Sequence, residues 1–144
     1  EIRQCIKDYQ KEIPCAKGAI NYLGSLASTD ENIMKSTMTA LKENNFFFVD
    51  NVSSVSTVAF TVAQKMVLPS YRKTLSLNFK EKKENFDQKI EKIKASAGNS
   101  QLIIITVPES DLPKPEDFIK FCGKLRKLNY DFIEISSLEE DIFL

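Results

Sequence analysis

Asn44-Asn45-Phe46-Phe47-Phe48-Val49-Asp50 is the stretch on which the reading of this chain turns. Two asparagines, suited to end a helix, are followed by an unbroken apolar run of strand length and then by a carboxylate. The run from Phe46 to Asp50 reads as a strand buried on both faces, the habit of strands inside parallel sheets. Before it, Ile33, Met34, Thr37, Met38 and Leu41 recur at helical spacing behind the cap candidates Ser28, Thr29 and Asp30. After it, Ser53 or Ser54 is expected to cap a helix with Val55, Val58, Ala59, Val62 and Met66 on one face.

The same alternation extends in both directions. Ile2, Cys5, Ile6, Tyr9 and Ile13 mark a surface helix that must stop at Pro14, and Lys17 to Asn21 reads as a short strand. After Pro69 come a strand over Arg72 to Leu77 and a charged helix from about Lys82. That helix carries Phe86, Ile90, Ile93 and Ala97 on one face and closes at Gly98. Leu102 to Val107 is the strongest strand pattern. A helix with Phe118, Ile119, Cys122, Leu125 and Leu128 follows it, and Tyr130 to Ile135 reads as a last strand. Helices and strands in strict alternation predict an α/β fold with right-handed crossovers and a largely parallel sheet, its strands side by side and its helices packed across them. A chain of 144 residues, 42% of them apolar, is expected to make one domain over 1–144.

Composition excludes several kinds of function. Lys plus Arg and Asp plus Glu both number 20, so no net field favours nucleic acid or an anionic membrane. The longest apolar runs are of strand length, too short to span a bilayer. The segment opens on Glu1 without a charged and apolar leader, so any targeting signal is expected to lie outside it or to have been removed. Cys5, Cys15 and Cys122 form an odd set without C-x-x-C spacing and are expected to be small buried apolar residues rather than a disulfide framework or zinc knuckle. There is no histidine. That removes imidazole acid/base catalysis, Ser-His and Cys-His nucleophile pairs, and metal sites mixing histidine with carboxylates. Gly18, Gly24, Gly98 and Gly123 are too scattered to cradle a phosphate.

In parallel α/β folds the working loops lie at the C-terminal ends of the strands. Those positions here are Asn21 to Ser25, Asp50 to Ser54, Asn78 with Phe79, and Thr106 to Asp111. Asp50 sits directly at a strand end, which suits a metal ligand or a general base and equally suits an Asx turn or a helix cap. The mixed run Lys80-Glu81-Lys82-Lys83-Glu84 reads as a solvated helix start, and Glu139-Glu140-Asp141 lacks the oxygen-rich loop of a calcium site. The apolar end Ile142-Phe143-Leu144 is expected to dock on the body or to serve a partner.

From Gly18 to Ser25 the sequence GAINYLGS resembles the G-x-N-N-H-M-G-S block of the divergent polysaccharide deacetylases, a bacterial envelope family with a NodB-like deformed (β/α) barrel. Glu1 to Pro14 resembles that family's helix ending in V-P, and NFFFVDN from Asn45 to Asn51 its L-x-F-L-D-S strand. TLSLNF from Thr74 to Phe79 is similar to V-F-L-D-D, LIIITVP from Leu102 to Pro108 to I-A-I-G-H-P, and Ser136-Ser137-Leu138 to the closing S-S-L. The order and spacing of these blocks carry the resemblance. It implies part of a NodB-like barrel, the C-terminal two-thirds, with the opening strands and their paired aspartates expected upstream of Glu1 or absent.

The departures from the family pattern fall at its chemistry. Tyr22 stands at a histidine position, Asn78 at an aspartate position, and Thr106 or Val107 where a histidine precedes proline, while Asp50 is retained. A deacetylase of this type uses a divalent metal to polarise the acetyl carbonyl and activate water, held by an aspartate with histidines. The resemblance therefore implies a degenerate pocket of Asn21, Tyr22, Asp50, Asn78 and Thr106 without metal, cofactor or catalysis. The expected role is protein interaction or scaffolding in the bacterial cell envelope, periplasmic or envelope-associated, with Ile142, Phe143 and Leu144 or an open sheet edge as partner surfaces. The alternatives are a glycan-binding remnant and an active metal-dependent deacetylase completed by upstream residues.

Overall fold

A computed structural model describes residues 1–22, 25–80, 85–98, 100 and 102–138. The elements are α1 (Ile2–Glu12), β1 (Gly18–Ile20), α2 (Ser25–Thr29), α3 (Glu31–Glu43), β2 (Phe47–Asp50), α4 (Ala59–Lys65), β3 (Ser70–Arg72), β4 (Leu75–Ser76), α5 (Phe86–Ala97), β5 (Ile105–Thr106) and α6 (Pro115–Arg126), with 3-10 turns at Glu109–Asp111 and Ile135–Leu138. The α/β class with parallel strands is as the sequence predicts. The chain divides into two compact units, Glu1–Arg72 with Glu134–Leu144, and Lys73–Ile133.

In the first unit the strand order is β1-β2-β3, all parallel. Gly18 aligns with Phe47 and Ile20 with Val49 on one side of β2; Phe48 aligns with Ser70 and Asp50 with Arg72 on the other. Gly18 is glycine for a packing reason, since a Cβ there would collide with the Phe47 ring. Phe48, Val49 and Asp50 are all buried, as expected of a central parallel strand. The core joins Phe46 and Phe48 to Met34, Met38 and Leu41 of α3 and to Ala59, Val62 and Ala63 of α4.

The junctions of this unit are set by local chemistry. Asp30 caps α3, its carboxylate accepting from Asn32 N (2.8 Å) and Ile33 N (3.0 Å). Asn45, in left-handed backbone (φ 56°), ends it: Asn45 N donates to Lys42 O (3.1 Å) and Phe46 N to Leu41 O (3.0 Å). This double bond pattern is a Schellman stop, and its paired apolar residues Leu41 and Phe46 both enter the core. The pattern recurs after α4, where Val67 (φ 52°) donates to Gln64 O and Leu68 N to Ala63 O, both at 3.0 Å.

In the second unit β4 and β5 pair in parallel, Leu75 with Ile105 and Ser76 with Thr106. Asn85 and Gln88 form a reciprocal capping box at the start of α5, each backbone N–H reaching the other's side chain at 2.9 Å. Leu77, Ile90, Ile93, Phe121 and Leu125 form the core, bordered by Phe79, whose ring meets Phe86, Phe118 and Phe121 edge to face. Buried Lys89 places its ammonium 5.9 Å from the centre of the same ring.

Several expectations are corrected. The strand predicted over 72–77 is two pieces: Arg72 ends β3 and Leu75 begins β4 in a different ladder, so the described strands form a three-stranded and a two-stranded ladder rather than one continuous row. The 102–107 strand pairs only at Ile105 and Thr106, because Ile104 spends its carbonyl on Thr74 N (2.8 Å) and its amide on Thr74 Oγ1 (3.0 Å). Tyr130 to Ile135 is not a strand: it follows a third left-handed helix exit at Asn129 (φ 64°), but 131–134 is exposed and finds no ladder partner among the described residues. Its β-prone Phe132 lies instead beneath the Arg126 guanidinium, 5.7 Å away. Neither Ser53 nor Ser54 caps α4, which begins after Val58 because Val58 N is held by Ser28 O (2.8 Å); Val55 is fully exposed. α5 starts at Phe86 behind the Asn85 cap, while Lys82, the expected start, and Ile142, Phe143 and Leu144 lie outside the described residues. Cys5 and Cys15 are exposed rather than buried, Cys5 on a helix, α1, that buries none of its residues fully and Cys15 in the segment after it, and Cys122 is half-buried. No helix among the described residues is long and apolar enough to cross a membrane.

Two predictions follow from this geometry. Val67 is β-branched, 79% exposed and in left-handed backbone, so Val67→Gly relieves strain and is expected to raise unfolding free energy by about 0.5 to 1 kcal/mol in urea titrations. Burial pushes the Cys122 thiol above its ordinary value, against the pull of the Arg126 guanidinium, and so lowers its thiolate fraction near neutral pH. A disulfide reagent is expected to label Cys5 and Cys15 rapidly and Cys122 slowly; equal rates would contradict the packing around α6.

Candidate functional site

The first unit brings Asn21 and Asp50 together at the C-terminal ends of β1 and β2. Asp50 has no exposed surface. Its Oδ1 accepts from Asn21 Nδ2 at 3.1 Å and from Val52 N at 2.9 Å. Asn21 in turn accepts Asn51 N on its Oδ1 at 2.6 Å, so one amide side chain bridges two strand ends. The second carboxylate oxygen, Oδ2, has no hydrogen-bond partner; the Arg72 Nε lies 3.9 Å from it. Arg72 is there because the β2–β3 register sets it directly opposite Asp50. The backbone leaving the site is strained, with β-branched Val52 at φ 52°, a departure of the kind that clusters at functional loops.

The loops above these strand ends are tied to one another. Ser28 O accepts from Val58 N (2.8 Å) and Thr57 Oγ1 (3.3 Å), and Ser28 Oγ lies 3.4 Å from Ser53 Oγ. Beside them Tyr22, the residue at the expected histidine position, is 76% exposed and Leu26 is also exposed. Asn78 and Thr106 belong to the second unit. Asn78 Oδ1 accepts from Lys80 N at 2.9 Å in an Asx turn, and Thr106 Oγ1 sits 3.0 Å from Ser76 Oγ across the β4–β5 pair. The strand-end loop Asp50 to Ser54 is where the sequence pattern places it, whereas Arg72 is a residue of the site that the pattern does not reveal. Arg72 was read as starting a strand rather than ending one, which hid its place at the same sheet end as Asp50.

Residues 1–138 match the family model described as divergent polysaccharide deacetylase. The chain belongs to that family. The match runs through both units, and a search of curated proteins returns no match. Family membership raises the question of a divalent metal, and the donor set can be tested against one. Zinc in a hydrolytic site wants several anionic or imidazole ligands with one position open. In this deacetylase-family chain the retained carboxylate instead receives an amide N–H, a backbone N–H and a neighbouring guanidinium, all with positive ends turned toward it. Asn21 directs a nitrogen at Asp50, and its oxygen is held by Asn51 N. Among the described residues no three His, Cys, Asp or Glu side chains converge. The residues around Asp50 do not fit a catalytic metal.

The bridge gives a prediction. Asn21→Ala strips one donor from a buried carboxylate and one acceptor from Asn51 N–H, and is expected to cost about 1 to 3 kcal/mol. Denaturant unfolding with an unchanged slope would register it. A loss within error of zero would show that the contact between the two strand ends carries no stability.

Proposed function

We propose that this member of the divergent polysaccharide deacetylase family is non-catalytic and acts in the bacterial cell envelope by binding another protein. The observation that carries the proposal is the state of the Asp50 carboxylate, wholly buried and committed to Asn21, Val52 and Arg72 instead of facing a ligand cavity. A hydrolytic metal needs that group as a free anion beside further anionic or imidazole donors. Tyrosine at position 22 supplies a ring that points into solvent, and asparagine at 78 is spent on its own turn.

Binding is supported by the edge of the first sheet. Lys17 O and Asn21 N face β2, accepting from Phe47 N and donating to Val49 O, so the alternation of a parallel ladder turns the backbone groups of Gly18 and Ile20 outward. These groups have no partner among the described residues, and the Ile20 side chain is 50% exposed. An unpaired edge flanked by exposed apolar side chains is a template for strand addition by a partner. A second reading, a domain that holds a glycan without cleaving it, is favoured by the exposed Tyr22 ring beside the strand ends.

Acetyl release from chitin oligomers and peptidoglycan fragments, with and without added zinc, is the first test, and background rates are expected in both. Zinc-dependent release would overturn the non-catalytic reading. Calorimetry against the same glycans is expected to show no heat of binding, whereas saturable binding lost in Tyr22→Ala would favour the second reading. Capture of an envelope protein that is abolished by Ile20→Lys, in a variant that keeps its fold, is the result the proposal requires.

A further inference from the structure

Burying a carboxylate without compensation is costly enough that such groups either acquire a counter-charge or take up a proton. Asp50 is fully buried at the centre of the sheet end. The two donors on Oδ1 are neutral amides, which satisfy hydrogen-bonding capacity without cancelling charge. Oδ2 faces no donor within hydrogen-bond reach. Among the described residues the cation placed within 4.0 Å of Asp50 is Arg72, whose Nε lies 3.9 Å from that oxygen. The position is fixed by the backbone, since the two residues are register partners in adjacent parallel strands and so project to the same face.

We propose that the Arg72 guanidinium is the built-in counter-charge of Asp50, standing electrostatically where a metal-dependent deacetylase would hold a cation. The inference rests on the non-catalytic reading above and deepens it: the strand-end carboxylate is kept because the fold needs a charge pair there. Arg72 has the means to do this. Its side chain is 48% exposed, so it can neutralise the buried anion while part of it stays hydrated. It acts as a positioning residue for the Asn21, Asn51 and Val52 shell. Without it the buried carboxylate would have no cation beside it among the described residues, and the Asn21 bridge would hold an uncompensated charge.

The test is a thermal-unfolding double-mutant cycle on the full chain, using Arg72→Met to keep the aliphatic stem. Arg72→Met is expected to lower the melting temperature by roughly 4 to 8 °C when Asp50 is present, and by less than half of that in the Asp50→Asn background. Arg72→Lys should retain more than half of the lost stability. Wild-type melting should be indifferent to EDTA and to zinc chloride. Equal losses from Arg72→Met in the two backgrounds, with melting still indifferent to EDTA, would overturn this inference and leave the non-catalytic reading standing. A fall in wild-type melting temperature on chelation would overturn both. Should Asp50→Asn fail to fold, Arg72→Lys melting no higher than Arg72→Met is sufficient to reject the counter-charge.

Discussion

A strand that is hydrogen-bonded along both edges and buried on both faces leaves its neighbours very little choice. β2 is such a strand: β1 is paired to one side of it and β3 to the other, and Phe48, Val49 and Asp50 all lie out of contact with solvent. The apolar residues need helices laid against them, and α3 and α4 supply Met38, Leu41, Val62 and Ala63. The polar residue at its end needs partners of its own, which come from both flanking strands. Asn21 follows β1 and Arg72 closes β3, so the site is assembled by the same register that assembles the core.

That arrangement alters what a familiar strand-end aspartate does. In a hydrolase it would be an open anion awaiting a metal; here its surroundings have closed over it. The sequence has no histidine and its strand-end carboxylate is engaged by neighbours, two observations that bear on different requirements of metal-assisted hydrolysis. The same sheet end carries a solvent-facing Tyr22, and β1 has no second strand partner among the described residues.

Much of this was legible in the residues. The helix-strand rhythm, the Asp30 cap, the buried run to Asp50 and the family blocks all depend on local pattern and survive folding. The parts that were not legible depend on what lies alongside. Tyr130 to Ile135 has strand composition but finds no ladder among the described residues, and Leu102 to Val107 pairs over only a fraction of its length. Ser53 and Ser54 are good caps in isolation, yet Ser28 O captures Val58 N and starts α4 later. The nearness of Arg72 to Asp50 is a matter of register, which no single-strand pattern contains. The general habit of cysteine points to burial for Cys5 and Cys15, but α1 buries none of its residues fully and Cys15 lies beyond its end.

The left-handed exits after α3 and α4 bear on how the chain assembles. Pairing β1 with β2 requires closing a long loop, an entropic cost incurred before the sheet returns any energy. Each exit, by contrast, is closed by bonds between residues only a few positions apart, Leu41 with Phe46 and Ala63 with Leu68. A helix halted by its own sequence delivers the next strand at a fixed residue, so the frame of β2 and β3 is specified locally, within a few residues of each helix end. Slippage by one residue would turn the Asp50 side chain to the opposite face of the sheet. The asparagine at 45 and the valine at 67 thus mark the register of the sheet as much as they turn its corners.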